Sequence, residues 1–80
     1  MAKIITLKKR SERPSLERAQ ALVAGGGLVE LVELRDGSQL IVDEEGLLKG
    51  KGVNPIASLL AQTLIVGEAL HLQGQARWLD

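Results

Sequence analysis

Short turn and cap signals recur along this sequence, and they constrain its fold more than any other feature. The three clearest are Gly25-Gly26-Gly27, Asp36-Gly37 and Asn54-Pro55. Glycine adopts left-handed backbone angles freely, and Asp-Gly favours a two-residue hairpin turn in which both central residues have positive φ. Asn is favoured just before a helix and Pro at its first position. The sequence therefore predicts a small domain of short alternating helices and strands.

Four segments have the composition of strands. Strands are predicted over 3–7, which is rich in β-branched residues, and over 28–34, 38–42 and 63–72. Residues 28–34 could be helical or extended, and the glycines before them and the turn after them favour a strand. The second and third flank Asp36-Gly37 as a hairpin, and the fourth is predicted to be the longest. Gly67 inside it predicts a bulge or a close backbone approach.

Two segments have the pattern of helices. Ser15 is a favourable N-cap, and the triple glycine ends this first helix. Its expected apolar face consists of Leu16, Ala19, Leu22 and Val23. The second helix runs from Pro55 to about Gln62. The expected fold is α+β, with a small antiparallel sheet of three or four strands and both short helices on one face. Leu47 and Leu48 are expected to fold back as an apolar plug.

The size and composition of the chain predict one domain that associates with copies of itself. Its 80 residues include no cysteine, one histidine and one aromatic residue, and 45% are hydrophobic. Disulfides, thiolate zinc sites, cysteine nucleophiles and multi-histidine metal sites are thereby excluded. A chain of this length has a marginal core, and subunit contacts are the remaining route to complete it. We expect a single domain over 1–80, with residues 1–14 as a mobile or strand-exchanging arm, and a homo-oligomer.

Charge is balanced overall and uneven locally. The formal net charge is zero, the first thirteen residues are basic, and the stretch 30–45 is acidic. Without a global basic field, nucleic acid is an unlikely partner. No signal peptide or membrane-spanning run is visible, so the expected location is the cytoplasm, or the host cytoplasm if the protein is viral.

The residues that could support catalysis are sparse. His71 lies between two leucines with only Glu68 as an acidic neighbour, which favours a structural role. Asp43-Glu44-Glu45 is typical of a solvated turn, with acid–base or metal chemistry as the alternative. The sequence therefore predicts a protein that is not an enzyme and that uses no cofactor and no metal.

The strongest candidate ligand site is the loop that enters the second helix. Lys49 and Lys51 alternate with glycines, and backbone N–H groups at a helix N-terminus favour phosphate or carboxylate. Asn54 and Ser58 would orient such an anion. The alternative is an ordinary solvated connection.

Two further groups complete the predicted ligand-binding set. Arg10 and Arg13 supply guanidinium groups suited to phosphate, with a mobile arm as the alternative. Arg77 and Trp78 are predicted to form a subunit contact, because interfaces are enriched in both residue types. The alternatives for Trp78 are a lid over the core and stacking of its indole on a ligand ring.

Several short motifs resemble a known family. They are the run Val-Asp-Glu-Glu-Gly-Leu-Leu-Lys at 42–49, Asn54 with Ala57 and Ser58, and Ile-Val-Gly-Glu-Ala-Leu at 65–70. Together they resemble an uncharacterised family, labelled only as a domain of unknown function, from bacteriophages, mobile elements and some actinobacteria. The resemblance covers roughly residues 26–72. It implies a viral or mobile-element context and brings no established activity.

Three kinds of binding function follow as expectations. The first is a phage or mobile-element protein that sequesters a phosphate-containing, nucleotide-like signalling molecule and so counters host defence. The second is an inhibitor or adaptor that binds a host protein through its acidic face or a sheet edge. The third, a nucleic-acid accessory protein that uses the basic arm, is opposed by the zero net charge.

Overall fold

The computed structural model describes residues 3–78 and contains four strands and two helices. The elements are β1 (Ile4–Leu7), α1 (Leu16–Ala24), β2 (Val29–Glu33), β3 (Gln39–Asp43), α2 (Pro55–Ala61) and β4 (Ala69–Leu72). Short 3-10 turns lie at Arg10–Glu12 and Gly74–Ala76. The predicted α+β class, with up to four strands and two short helices, is confirmed.

The four strands form one mixed sheet in the order β1-β4-β3-β2. β3 pairs antiparallel with both β2 and β4, whereas β1 pairs parallel with β4. The expectation of a purely antiparallel sheet is therefore wrong for this one pair. The β1–β4 pairing joins segments more than sixty residues apart, so no local turn signal sets its direction.

The two helices cover opposite faces of the sheet, which corrects the prediction that they share one face. Ile41 of β3 packs with Ala19 and Val23 of α1. The residues on either side of it, Leu40 and Val42, pack with Ala57 of α2. Successive side chains of a strand point to opposite faces, so an unbroken apolar run needs cover on both.

The local cap signals act as the sequence predicts. The Ser15 hydroxyl accepts a hydrogen bond from the Arg18 N–H at 3.0 Å, and Gly25 ends α1 with φ 59°. Asn54 caps α2 by accepting from the Ala57 N–H at 3.1 Å, with Pro55 in the first helical position. These signals are local, which explains why the sequence was sufficient to find them.

The hairpin between β2 and β3 has a longer loop than expected. Gly37 has φ 87°, but no positive φ occurs at Asp36. The Gly37 N–H donates to the Leu34 carbonyl, and the Leu34 N–H donates to the Ser38 carbonyl. This pattern is a three-residue loop, in which a type I turn is followed by a left-handed glycine.

The segment 63–72 is only partly a strand, so the prediction that it is the longest strand is wrong. β4 occupies its last four residues. Ser58 anchors the earlier part, because its hydroxyl accepts from the Ile65 N–H at 2.9 Å and donates to the Ile65 carbonyl. The predicted close approach at Gly67 is confirmed: φ is 79°, and a Cβ there would lie 2.6 Å from Lys51 Cδ.

Two other expectations concern the chain's surface. Residues 4–7 of the proposed arm form β1 within their own sheet, whereas residues 1–2 lie outside the described part. Exchange of this strand between copies stays a prediction. Leu47 and Leu48 are exposed, so they form no apolar plug. Among residues 3–78, no helix is long and apolar enough to cross a membrane.

Candidate functional site

Lys49 and Lys51, the predicted ligands of an external anion, bind an anion that belongs to the chain itself. Asp43 ends β3 with its side chain fully buried. Both lysine ammonium groups lie 2.9 Å from its Oδ2, and the Glu45 N–H donates to its Oδ1 at 2.8 Å. The prediction that residues 43–45 form a solvated acidic turn is therefore wrong for Asp43, although Glu44 and Glu45 are exposed.

The same two lysines also cap the C-terminus of α1. Lys49 Nζ donates to the Ala24 carbonyl at 3.0 Å, and Lys51 Nζ donates to the Val23 carbonyl at 2.7 Å. Carbonyls at a helix C-terminus lack partners within the helix and carry partial negative charge, which favours cations. The ammonium groups thus link α1 and β3 to the loop between β3 and α2.

These contacts keep Asp43 ionised. Burial raises the pKa of its carboxyl, but hydrogen bonds from Lys49, Lys51 and the Glu45 N–H outweigh that effect and lower the pKa to about 2. A buried charge is tolerated where partners of opposite charge and hydrogen bonds surround it. The arrangement is a closed internal ion-pair network.

Asn54 and Ser58 are brought close to the lysine loop, but their polar atoms are also used internally. The buried Asn54 side chain donates to the Lys3 and Gly67 carbonyls at 3.0 and 2.9 Å while its Oδ1 caps α2. Ser58 holds Ile65 as described above. Asn54 precedes α2 and Ser58 lies within it, and this helix has only seven residues. The polar atoms of this cluster are used within the chain, and they stabilise the fold.

Arg77 and Trp78 lie elsewhere, beside the hairpin and α1. Arg77 donates to the Gly74 and Gly37 carbonyls at 3.0 and 3.2 Å. The indole of Trp78 packs against the core under α1, and its Nε1–H donates to the Pro14 carbonyl at 2.8 Å. Within the chain, therefore, Trp78 covers the core, and its predicted subunit contact stays a prediction.

The fold also brings together Ser38 and His71, a contact that the sequence analysis missed. Ser38 Oγ lies 2.9 Å from His71 Nε2 and also hydrogen-bonds the Asp36 carboxylate. A carboxylate only accepts, so the serine hydroxyl donates to Asp36 and the histidine N–H donates to the serine. A nucleophilic serine would instead donate to the histidine. Burial lowers the pKa of His71, and the negative charge of Asp36, which alone would raise it, only partly offsets this effect.

A groove between α1 and β1 has a volume of about 520 Å³. Its floor is apolar and comes from Ile5, Leu7 and Leu70, and Leu22 of α1 forms one wall. α1 packs over the β2–β3 side of the sheet, so the β1 side of this face lacks cover, and Ile5 stays partly exposed. The groove forms because α1 is displaced from β1 towards the β2–β3 side of the sheet.

Two arginines line this groove. Arg13 donates from Nε and Nη2 to the Gln75 carbonyl at 3.2 and 2.7 Å, which fixes its position. Arg18 has no hydrogen bond or ion pair from its guanidinium to any residue in 3–78. The one acidic lining residue, Glu12, accepts hydrogen bonds from the Lys8 and Lys9 N–H groups, which lower its pKa. Of the predicted set, only Arg13 lines the groove; Arg10 is exposed on the adjoining turn.

Sequence reasoning missed most of the groove. Arg18 and Leu22 are four residues apart and so share one side of α1, but Leu22 was expected in the core. The buried residues of α1 are Ala19, Val23 and Ala24, which turns Leu22 towards the groove. The small side chains of Ala19 and Ala24 could have indicated that the buried face of α1 is centred on them and not on the leucines.

The fold is thus a four-stranded mixed sheet with one helix on each face and an arginine-lined groove at one edge. No group of three or more potential metal ligands occurs in the described part of the chain. No protein-family model matches the chain, and comparisons with curated proteins and with solved structures give no match either. The family resemblance therefore stays a prediction.

Proposed function

We propose that this protein is a non-enzymatic binding protein that holds an anionic, partly apolar small molecule of the nucleotide class in the α1–β1 groove. The observation that carries the proposal is the Arg18 guanidinium, which lines an apolar-floored groove and has no partner within residues 3–78. Arg18 is exposed, so a ligand in the groove can reach its guanidinium, whose planar fork matches phosphate geometry.

The charge of the groove favours an anion. Arg13 and Arg18 line it, and Lys8, Lys9 and Arg10 precede it in the chain. The negative charge of Glu12 is directed to backbone N–H groups, so it opposes an incoming phosphate less than a free carboxylate would. Hydrogen bonds between charged partners contribute about 1.5–3 kcal/mol each.

The size and floor of the groove favour a ligand with an apolar or planar part. Small-molecule sites are typically about 300–1,000 Å³ and mostly apolar, with a few placed polar groups. The groove falls in that range, and Leu7, Leu22 and Leu70 supply the apolar contacts. A nucleotide-like signalling molecule has both features. The idea that its sequestration counters host defence rests on the family resemblance alone.

The test is a binding experiment with Arg18→Gln. We expect calorimetric titration of the 80-residue chain with ADP-ribose, cyclic mononucleotides and cyclic dinucleotides to find at least one ligand. Arg18→Gln should weaken its binding about tenfold or more, the equivalent of one charge-assisted hydrogen bond. Arg35→Gln is the matched control, since Arg35 is exposed on the hairpin loop away from the groove. Absence of binding across the panel would refute the proposal.

A second candidate is peptide binding at the free edge of β1, as the host-protein adaptor would need. The Lys3 and Leu7 carbonyls accept hydrogen bonds from the Ala69 and Gln73 N–H groups. The backbone groups of every second residue from Lys3 to Leu7 are therefore directed to β4. The intervening Ile4 and Thr6 turn their N–H and C=O groups outward. An extended peptide could pair with this edge while its side chains enter the groove.

Proline at Thr6 separates the two candidates. Thr6→Pro removes one outward N–H at an edge position where proline is tolerated. Capture of a host peptide would be lost in this variant, whereas nucleotide binding would persist. Retention of a host partner by Thr6→Pro would exclude the edge-pairing function.

A further inference from the structure

Helix α2 has its small residues turned inward and its large residues turned outward. Ala57 is buried and Ala61 half-buried against the sheet, whereas Ile56, Leu59 and Leu60 are exposed. Positions 56, 59 and 60 share one face of a helix because they are three and four residues apart. The side chains with most apolar area therefore do not contribute to the core of their own chain.

This apolar face continues beyond the helix. Leu64 and Leu47 are both exposed and line one small cavity of about 100 Å³. We refer to Leu47, Ile56, Leu59, Leu60 and Leu64 as the α2 apolar surface. Leu59 is 79% exposed and Leu47 is 70% exposed. With ordinary side-chain areas, the five present on the order of 500 Å², a patch size that marks interaction sites on soluble proteins.

Charge is absent from the α2 part of this surface, although Glu30, Asp43 and Glu44 line the cavity beside Leu47 and Leu64. The uncharged part limits the chemical classes of partner that fit. Residues 52–67 contain no Asp, Glu, Lys or Arg. The nearest cations along the chain, Lys49 and Lys51, are directed to Asp43. A helix that lies on a membrane surface typically has Lys and Arg along its polar face, and α2 has none. A partner with charged contact residues would find no counter-charge here.

We propose that a second copy of this chain docks on the α2 apolar surface in a two-fold arrangement. The α2 face of another copy is apolar, and residues 52–67 are uncharged, so contact between the two helices brings no like charges together. The zero net charge of the chain adds no long-range repulsion. About 500 Å² from each copy gives an interface near the ~1,000 Å² expected of a small but specific one. Such a dimer leaves the α1–β1 groove free, because α1 and α2 cover opposite faces.

Sedimentation velocity with charge substitutions tests this arrangement. We expect the wild-type chain to be dimeric at about 100 μM, well within the range in which micromolar interfaces are occupied. Leu59→Lys should be monomeric and should retain the wild-type circular dichroism spectrum, since Leu59 makes no core contact. Leu16→Lys is the matched control: Leu16 is also exposed, lies on α1, and should leave the dimer intact.

Single cysteines give an independent test, because the chain has none of its own. A short bis-maleimide should link copies that carry Leu59→Cys and should not link copies that carry Leu28→Cys, an exposed control outside the surface. A monomeric wild type at about 100 μM, or a dimer unaffected by Leu59→Lys, would overturn the proposal. So would a monomer that binds phosphatidylcholine–phosphatidylglycerol vesicles through Leu59.

Discussion

Two regions of this molecule contain clustered cations, and they differ in what those cations contact. At the C-terminus of α1, Lys49 and Lys51 surround the buried Asp43 and two helix carbonyls. In the α1–β1 groove, Arg13 makes one backbone contact and the Arg18 guanidinium makes none within residues 3–78. The first region has its anion built into the chain, and we propose that the second binds an external one.

This difference explains why the lysine-glycine loop before α2 led to a wrong prediction of an external anion site. The sequence pattern indicates a cation near a helix, but it does not indicate which helix terminus the cation meets. Here the lysines contact carbonyls at the C-terminus of α1, not N–H groups at the N-terminus of α2. Gly67 lets the Lys51 stem lie close to the backbone and reach Asp43. An anion-binding prediction therefore depends on whether the fold already supplies an anion.

Removal of the internal anion should have the largest effect. Asp43→Ala leaves two partly buried ammonium groups without their carboxylate, and we expect the free energy of unfolding to fall by about 3–5 kcal/mol. Urea denaturation measures this loss. The neighbouring exposed Glu44 is the control, since Glu44→Ala should change stability by less than about 0.5 kcal/mol. Equal effects of the two substitutions would mean that the network does not stabilise the fold.

Gly67 provides the next largest effect. Gly67→Ala places a methyl group 2.6 Å from Lys51 Cδ at a φ of 79°. We expect a loss of about 2–3 kcal/mol from backbone strain and displacement of Lys51. Gly52→Ala is the matched control, because no atom lies within 4 Å of its added Cβ and its φ is ordinary. In a Lys51→Ala background the cost of Gly67→Ala should decrease, and a double-mutant cycle with no coupling would contradict the close approach.

Acid should weaken the network at a defined pH. The pKa of Asp43 is lower in the folded chain than its ordinary 3.8, so its stabilisation is complete above pH 3.8 and is lost as the pH falls through about 2. The difference between the pKa of Asp43 in the unfolded and the folded chain corresponds to about 2 kcal/mol in the free energy of unfolding. Denaturation across this range should show the loss in the wild type and little of it in Asp43→Asn. A carboxyl that titrates near 3.8 by NMR would contradict this assignment.

His71 should give the smallest effect, at a different pH. Burial lowers its pKa below the ordinary 6.5, so the unfolded chain takes up a proton first as the pH falls. Stability should therefore be highest above pH 6.5 and should decline as the pH falls below it. His71→Gln should flatten the decline between about pH 7 and 5. An unchanged slope would show that His71 is not its source.

The sequence was sufficient for the features that depend on neighbours along the chain. Ser15, Gly25, Asn54 and Pro55 act as the predicted caps, because each helix end is set by contacts within three or four residues. The direction of β1 and the faces taken by the helices depend on contacts between distant segments. The unbroken run Leu40-Ile41-Val42 did contain a usable signal, since a strand buried on both faces requires cover on both.

The candidate site was less accessible to prediction. Arg13 was found because basic residues cluster near the start of the chain, but Arg18 lines the same groove only because α1 is offset from β1. Lys49 and Lys51 were predicted to bind an external ligand, and Asp43, the residue they contact in the structure, was predicted to be exposed to solvent. The distances that unite these three residues arise from tertiary packing, which no local spacing reveals.

The division of roles between the two cationic regions is tested most directly by comparing Arg18→Gln and Lys51→Met in the same two experiments, urea unfolding and calorimetric titration with the nucleotide panel. Methionine keeps the aliphatic stem of Lys51 and removes its charge. We predict that Arg18→Gln loses ligand affinity and keeps wild-type stability, whereas Lys51→Met loses stability and, where folded, keeps affinity. The opposite pattern, in which Lys51 determines binding and Arg18 determines stability, would contradict this prediction.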